Sequence, residues 1–178
     1  GVVACSAFAY SNSVFMLEMT AEFGWTRTQF SSAFLLQMLV TLTIGPLVGW
    51  LTDRYGPRRI ALCGLVPYVF SVSMLGLANG SIWQWWLLCT FYAAGAGAIG
   101  LSVWVTAAAR RFDAGRGLAM GVVMAGTGVA TGLWPLAATG LIEVLGWRLA
   151  FPAMAVGSAA IVLPLVLAFF RDADEVVM

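Results

Sequence analysis

Residues 28–59 read TQFSSAFLLQMLVTLTIGPLVGWLTDRYGPRR. No charged side chain occurs from Thr28 to Thr52, and then Asp53, Arg54, Arg58 and Arg59 crowd into the next seven positions. A helix needs about 20 mostly apolar residues to cross a bilayer, and the uncharged part exceeds that. A charge in hydrocarbon costs about 3 kcal/mol or more, so the sudden return of four charges marks where the chain meets water again. The stretch predicts one membrane-spanning helix followed by a short basic loop.

The same pattern recurs outward in both directions. The runs Gly1 to Leu17, Ile60 to Ala109, Gly117 to Ile142 and Leu149 to Phe170 also carry no charge. The second of these is long enough for two spans, with Ala78, Asn79, Gly80 and Ser81 as the turn between them. The expected fold is therefore all-α, a polytopic membrane bundle over residues 1–170. Its six spans would cover about residues 1–17, 30–51, 60–78, 85–109, 118–142 and 149–170. Residues 171–178 would be a cytoplasmic tail or the start of a linker.

Composition supports the bilayer as the solvent. Of 178 residues, 61% are hydrophobic and 10% charged, against about 45–50% and about 25% in soluble domains. The net charge of +1, with every basic residue an arginine, gives no field for nucleic acid. The chain has no histidine, so an intramembrane serine protease would lack its base. Asp53, Asp113, Asp172 and Asp174 lie at or beyond span ends, which argues against a membrane aspartyl protease. Cys5, Cys63 and Cys89 sit in different spans without a CxxC pair and read as apolar packing residues. The reading is not an enzyme, with no cofactor and no metal.

Arginines set the orientation. Arg54, Arg58, Arg59, Arg110, Arg111, Arg116 and Arg171 fall on one side, and Arg27 and Arg148 on the other. Seven against two places the first group, and both chain ends, in the cytoplasm. Trp25, Trp83, Trp85, Trp86 and Trp147 would form an outer aromatic belt, with Trp50 at an inner end. A bacterial inner (plasma) membrane is the expected location. The chain opens on Gly1 inside a short apolar run with no basic residue before it, so a piece of a longer chain is expected rather than a signal peptide.

Small residues recur at the spacing that lets helices approach closely: Gly45 with Gly49, Gly117 with Gly121, Gly128 with Gly132, and the run Ala93 to Ala98. A tight bundle is expected from them. Thr26-Arg27-Thr28-Gln29 has the form of a capping box opening the second span. Deep in the spans the polar residues are neutral: Tyr10 and Asn12, Gln37 one turn before Thr41, Tyr92, then Thr127, Thr131 and Trp134. Tyr10, Asn12, Gln37, Tyr92, Thr127 and Trp134 are the candidates for lining a substrate cavity, the alternative for each being a bond to a neighbouring helix.

The loop Gly49-Trp50-Leu51-Thr52-Asp53-Arg54-Tyr55-Gly56-Pro57-Arg58-Arg59 resembles the G-x-L-x-D-R-x-G-x-R-R signature of the major facilitator superfamily, in the same loop and on the same side. Phe23-Gly24-Trp25-Thr26-Arg27, Arg116-Gly117-Leu118-Ala119-Met120-Gly121 and Gly146-Trp147-Arg148 look like its monocarboxylate-porter and oxalate/formate-antiporter branch. The resemblance implies the N-terminal half of a twelve-helix secondary transporter, built as two three-helix inverted repeats and moving a small organic anion by alternating access. Its partners would be that anion, a monocarboxylate or dicarboxylate, the lipid bilayer and the missing C-terminal six-helix half. The resemblance also implies a cytoplasmic gate. Gly49 would let the second span pack on the other half, and Asp53, Arg54, Gly56, Arg58 and Arg59 would form a latch that breaks as the halves rock. Phe91 stands where many proton-coupled members carry an arginine, although Gly95 and Gly97 follow as in them. A second class of reading is a complete six-helix protein acting as a dimeric assembly or interaction module.

Overall fold

The computed structural model describes residues 6–100 and 116–169. Their order is α1 (Ala7–Phe23), α2 (Arg27–Tyr55), α3 (Pro57–Leu75), α4 (Ile82–Ala98) and α5 (Arg116–Phe169). α5 is interrupted at Gly146, whose φ of 76° and ψ of 159° are not helical. It therefore comprises a first arm, residues 116–145, and a second arm, residues 147–169. α2, α3 and the stretch Met124–Pro164 are long and apolar enough to cross a membrane.

Local chemistry explains the ends. α1 stops at Gly24, which takes the left-handed conformation (φ 67°) that lacks the Cβ penalty. The capping box of α2 is formed: Gln29 N–H donates to Thr26 Oγ1 at 3.2 Å, and Thr26 N–H donates to Gln29 Oε1 at 2.9 Å. Between α3 and α4, Gln84 Nε2 donates to the Leu77 carbonyl at 3.1 Å and its Oε1 accepts from Asn79 N–H at 2.9 Å. That turn closes where Asn79, Gly80 and Ser81 predicted one.

The helices differ from the expected spans at their limits. α1 runs past Leu17 to Phe23, because Glu18 and Glu22 are exposed at its polar end and interrupt only the apolar run, not the helix. α2 and α3 together fill 27–75 with only Gly56 between them. α4 begins three residues before position 85 and ends at Ala98 rather than 109. Cys5 and residues 101–115, with Arg110, Arg111 and Asp113, lie outside the described residues, as does Arg171.

Packing does not follow chain order. α4 lies against both α2 and α3, while α5 packs on α1 and α3. Aromatic rings fill the centre: Phe15 stacks on Phe151 at 4.0 Å between centroids, and Phe8 meets Tyr92 edge-on at 4.7 Å. Phe151 belongs to the second arm of α5, which carries most of that helix's buried residues. On the first arm only Ala130 and Ala138 are buried among the described side chains, and Leu118, Leu136 and Val144 are more than 70% exposed.

Two expectations about packing are corrected. None of Gly45, Gly49, Gly117, Gly121, Gly128 or Gly132 has a neighbour within 4 Å of where a Cβ would stand, so these pairs do not tighten the bundle. Among the described residues, another segment's backbone comes within 3 Å of the Cβ position at Gly64, Gly76 and Gly95, and only Gly95 belonged to a run singled out by spacing. Trp85 and Trp147 are not belt residues either. Trp85 is wholly buried, packed on Phe30 at 5.0 Å with its Nε1–H donated to the Phe30 carbonyl, and Trp147 is 7% exposed. Of the six expected belt tryptophans, Trp83 and Trp50 are exposed.

Candidate functional site

The α2–α3 turn is built by two residues. Gly56 adopts φ 84° and ψ 149°, a left-sided conformation that favours glycine, and its N–H donates to the Thr52 carbonyl at 3.1 Å. Pro57 then occupies the first turn of α3, where a missing N–H costs nothing. α2 therefore ends and α3 begins within one residue. This fixes the signature loop as a sharp corner rather than a mobile linker.

The corner presents its charges outward. Asp53, Arg54 and Arg59 are exposed and Arg58 is half-buried. The Arg54 guanidinium lies over two rings of its own helix, 5.2 Å from the Trp50 centroid and 5.6 Å from that of Tyr55. Gly49, one turn before Asp53, borders open space. Thr52, which the sequence reading passed over, is 2% exposed and donates its hydroxyl to the Val48 carbonyl at 2.7 Å. A buried threonine beside an exposed aspartate has no signal in the sequence beyond helical phase.

Of the six cavity candidates, the structure brings two together. Gln37 and Tyr92, with Thr41, Ala93, Ala96 and Gly97, line a cavity of about 230 Å³ between α2 and α4. Tyr92 and Ala93 are buried at its floor, and Thr41 is exposed at its rim. Gln37 Nε2 is buried and has no oxygen partner among the described residues, with only the Cys89 thiol beside it. Tyr10 and Asn12 are half-buried on α1 and do not line this cavity. Asn12 Nδ2 donates weakly to the Ala9 carbonyl at 3.4 Å, which leaves its buried Oδ1 without a partner, and neighbouring Ser11 Oγ is in the same position. Thr127 donates to the Met124 carbonyl at 2.6 Å within its own helix. Trp134, half-buried on the same arm of α5, also stands apart from the cavity.

At the opposite end from Gly56, residues far apart in sequence converge. Glu22 at the end of α1 accepts from Trp147 Nε1 and pairs with Arg148 Nη1 at 2.7 Å. Arg148 lies 4.4 Å over the Trp147 ring. The Trp147 hydrogen bond and the Arg148 charge hold the Glu22 carboxyl below the usual carboxylate range. Beside it, Trp25 Nε1 donates to the Gly80 carbonyl at 3.0 Å. Two segments marked only by resemblance, 23–27 and 146–148, thus meet in one cluster with Glu22 as its centre.

Residues 1–177 match the family model described as Major Facilitator Superfamily. The chain is 34% identical over 148 residues to the MFS-type transporter hasB of Aspergillus fumigatus, covering 80% of this chain and 32% of that protein. It is 32% identical over 153 residues to MFS-type transporter 1 of an Ophiocordyceps species, covering 82% and 31%. It is 31% identical over 112 residues to the Fujikurins efflux protein of Gibberella fujikuroi, covering 63% and 24%. The chain spans about a third or less of the length of these relatives. All three are fungal, which removes the ground for expecting a bacterial inner membrane.

Proposed function

The chain belongs to the major facilitator superfamily, a family of integral, multi-pass membrane transporters, and from that premise we propose that it is the N-terminal half of a secondary transporter working by alternating access. Six spans follow if the two arms of α5 cross separately, turning at Gly146. The observation that carries the half reading is the pair of open faces. The glycine faces of the first arm of α5 and of α2 at Gly45 and Gly49 have nothing within 4 Å of their Cβ positions among the described residues, and exposed apolar side chains such as Leu42, Leu47, Leu118, Val129 and Leu136 flank them. Small residues on an apolar helix admit a second helix closely, and relatives about three times as long have the chain to supply one.

The substrate is a small organic molecule, moved outward, efflux being the role for which the Fujikurins relative is named. An organic anion of the monocarboxylate or dicarboxylate kind would draw its counter-charge from the other half, because every described residue lining the α2–α4 cavity is uncharged. Asp53, Arg54, Arg58 and Arg59 serve as the gate on the cytoplasmic side, carried by the rigid Gly56–Pro57 corner. Gly49 lies on the helix face that meets the opposite half. Contacts made by such charges in one state and broken in the other bias the equilibrium between states without touching substrate.

Native mass spectrometry tests this without a known substrate. Co-expressed with the remainder of its parent transporter as a separate polypeptide, the chain is expected to purify as a one-to-one complex. Gly128→Leu or Gly49→Leu would leave membrane insertion intact and deplete that complex. A homodimer of this chain that excludes the second polypeptide would refute the half reading and support the six-helix dimer.

A further inference from the structure

The cavity between α2 and α4 presents two opposite hydrogen-bonding demands within one turn of helix. Gln37 Nε2 is a buried donor with no oxygen acceptor among the described residues, and the Cys89 thiol beside it is at most a weak acceptor. A buried donor left unfilled costs about 1–3 kcal/mol. One turn on, the Thr41 hydroxyl donates its only proton to the Gln37 backbone carbonyl at 2.8 Å, since a carbonyl oxygen can only accept. What Thr41 Oγ1 has left to offer is a lone pair.

Carboxylates fit this pair of demands poorly. Both carboxylate oxygens are acceptors, so one would satisfy Gln37 while the other faced the Thr41 lone pair. Among the described residues none lining the cavity carries a charge, and an ion taken from water into such surroundings is costly. A carboxamide, a hydroxyl or an enol accepts from one side and donates to the other. Cavities of about 150 Å³ hold a benzene ring, so about 230 Å³ admits a ring with one such substituent.

Resting on the transport reading, we propose that Gln37, Thr41 and Tyr92 form a subsite for an uncharged ring-sized group that both accepts and donates a hydrogen bond. Gln37 Nε2 gives the hydrogen bond, Thr41 Oγ1 receives one, and Tyr92 and Ala93 form the floor. The subsite selects the neutral face of the substrate and leaves any charge to be held elsewhere.

Benzamide and benzoate have nearly the same shape and differ in this respect alone. Equilibrium dialysis of each, radiolabelled, against the full-length transporter in detergent reads the subsite directly. Benzamide is expected to bind saturably and at least about tenfold more tightly than benzoate. One lost buried hydrogen bond corresponds to about a tenfold loss in affinity, so Gln37→Leu should weaken benzamide by that factor. Thr41→Val should weaken it several-fold and narrow the preference over benzoate. If Gln37→Leu does not fold, Thr41→Val, nearly isosteric and at an exposed position, decides alone. Benzoate binding as tightly as benzamide, unchanged benzamide affinity in the variant that folds, or no saturable benzamide binding would overturn the proposal. Such a failure with the one-to-one complex of halves intact removes the subsite and leaves the transport reading standing. Loss of that complex removes the reading itself.

Discussion

Substituting Gly95 by alanine separates what glycine spacing suggests from what the packing requires. Built at Gly95, a Cβ would meet Ser71 Oγ and stand 2.8 Å from the carbonyl oxygen of Pro67 and 3.1 Å from its carbon, all on α3. Favourable contact begins at about 3.5 Å, so the new methyl overlaps backbone that cannot rotate away. Ser71 is itself held, donating to the Tyr68 carbonyl at 2.9 Å, and turning it aside costs about 1 kcal/mol. Overpacking of this kind costs about 1–3 kcal/mol. Alanine returns up to about 1 kcal/mol through helix propensity. The expected balance for Gly95→Ala is a loss of about 1–3 kcal/mol.

Gly128→Ala reverses the sign. Nothing lies within 4 Å of its Cβ position, so only the propensity gain of at most about 1 kcal/mol remains. Thermal melting of the purified protein in one detergent compares the two, at about 2–4 °C per kcal/mol for this size. Gly95→Ala should melt several degrees below the parent, and Gly128→Ala at or above it. A Gly95→Ala variant as stable as the parent, or a Gly128→Ala variant less stable than Gly95→Ala, would refute the packing of α4 on α3 described above.

The Glu22 cluster predicts a pH effect of known sign. Because the folded carboxyl titrates below its ordinary range, its contribution is present above the unfolded pKa and lost as acid drives the pH down through the folded one; Glu22→Gln should flatten that acid limb of the melting curve, and an identical limb in the variant would deny the cluster a role. Topology is tested by single cysteines at two exposed positions, Tyr55 and Ser81. Tyr55→Cys should react with an impermeant maleimide only from the cytoplasm and Ser81→Cys only from outside, and labelling of both from one face would reverse or break the proposed threading.

What was legible in the sequence is what the bilayer prices residue by residue. Charge is excluded from hydrocarbon wherever it falls, so the uncharged run before Asp53 announces a long helix without any knowledge of its neighbours. The α2 capping box and the turn at 78–81 were legible for a similar reason, since Thr26 with Gln29, and Asn79 with Gly80, act within a few residues of themselves. The end of α1 was not. Glu18 looks like the exit from a span, yet the helix runs on to Phe23 with Glu18 and Glu22 exposed, and that Glu22 then meets Trp147, 125 positions away, is written in neither segment. The glycines show the same limit. Spacing identifies residues that permit close approach, but whether Gly95 or Gly128 is approached depends on which helices are neighbours, and α4 packs on α3 at Gly95 while the Gly128 face of α5 borders open space. Gln37 and Tyr92 were each picked out for polarity; that they share one cavity follows only from α2 lying against α4.

The contacts at the Glu22 end bear on how such a half would move. Trp25 ties the α1–α2 turn to the α3–α4 turn through the Gly80 carbonyl. Gly76, next to the end of α3, lies against the Arg148 carbonyl so closely that a Cβ would not fit. Glu22 joins α1 to Trp147 and Arg148, just beyond the non-helical Gly146. Two inter-helix turns and the break at Gly146 are thereby cross-tied, by a hydrogen bond, a backbone approach and an ion pair, around an aromatic core that includes Phe15 and Phe151. Packed cores of this kind are not continuously deformable. On the proposed reading, then, the described helices shift as one body, and access to the α2–α4 cavity changes through displacement against the other half. The place for that sliding surface is the glycine-bearing face of the first arm of α5 and the Gly45–Gly49 face of α2, where no described residue lies within 4 Å of the glycines' Cβ positions.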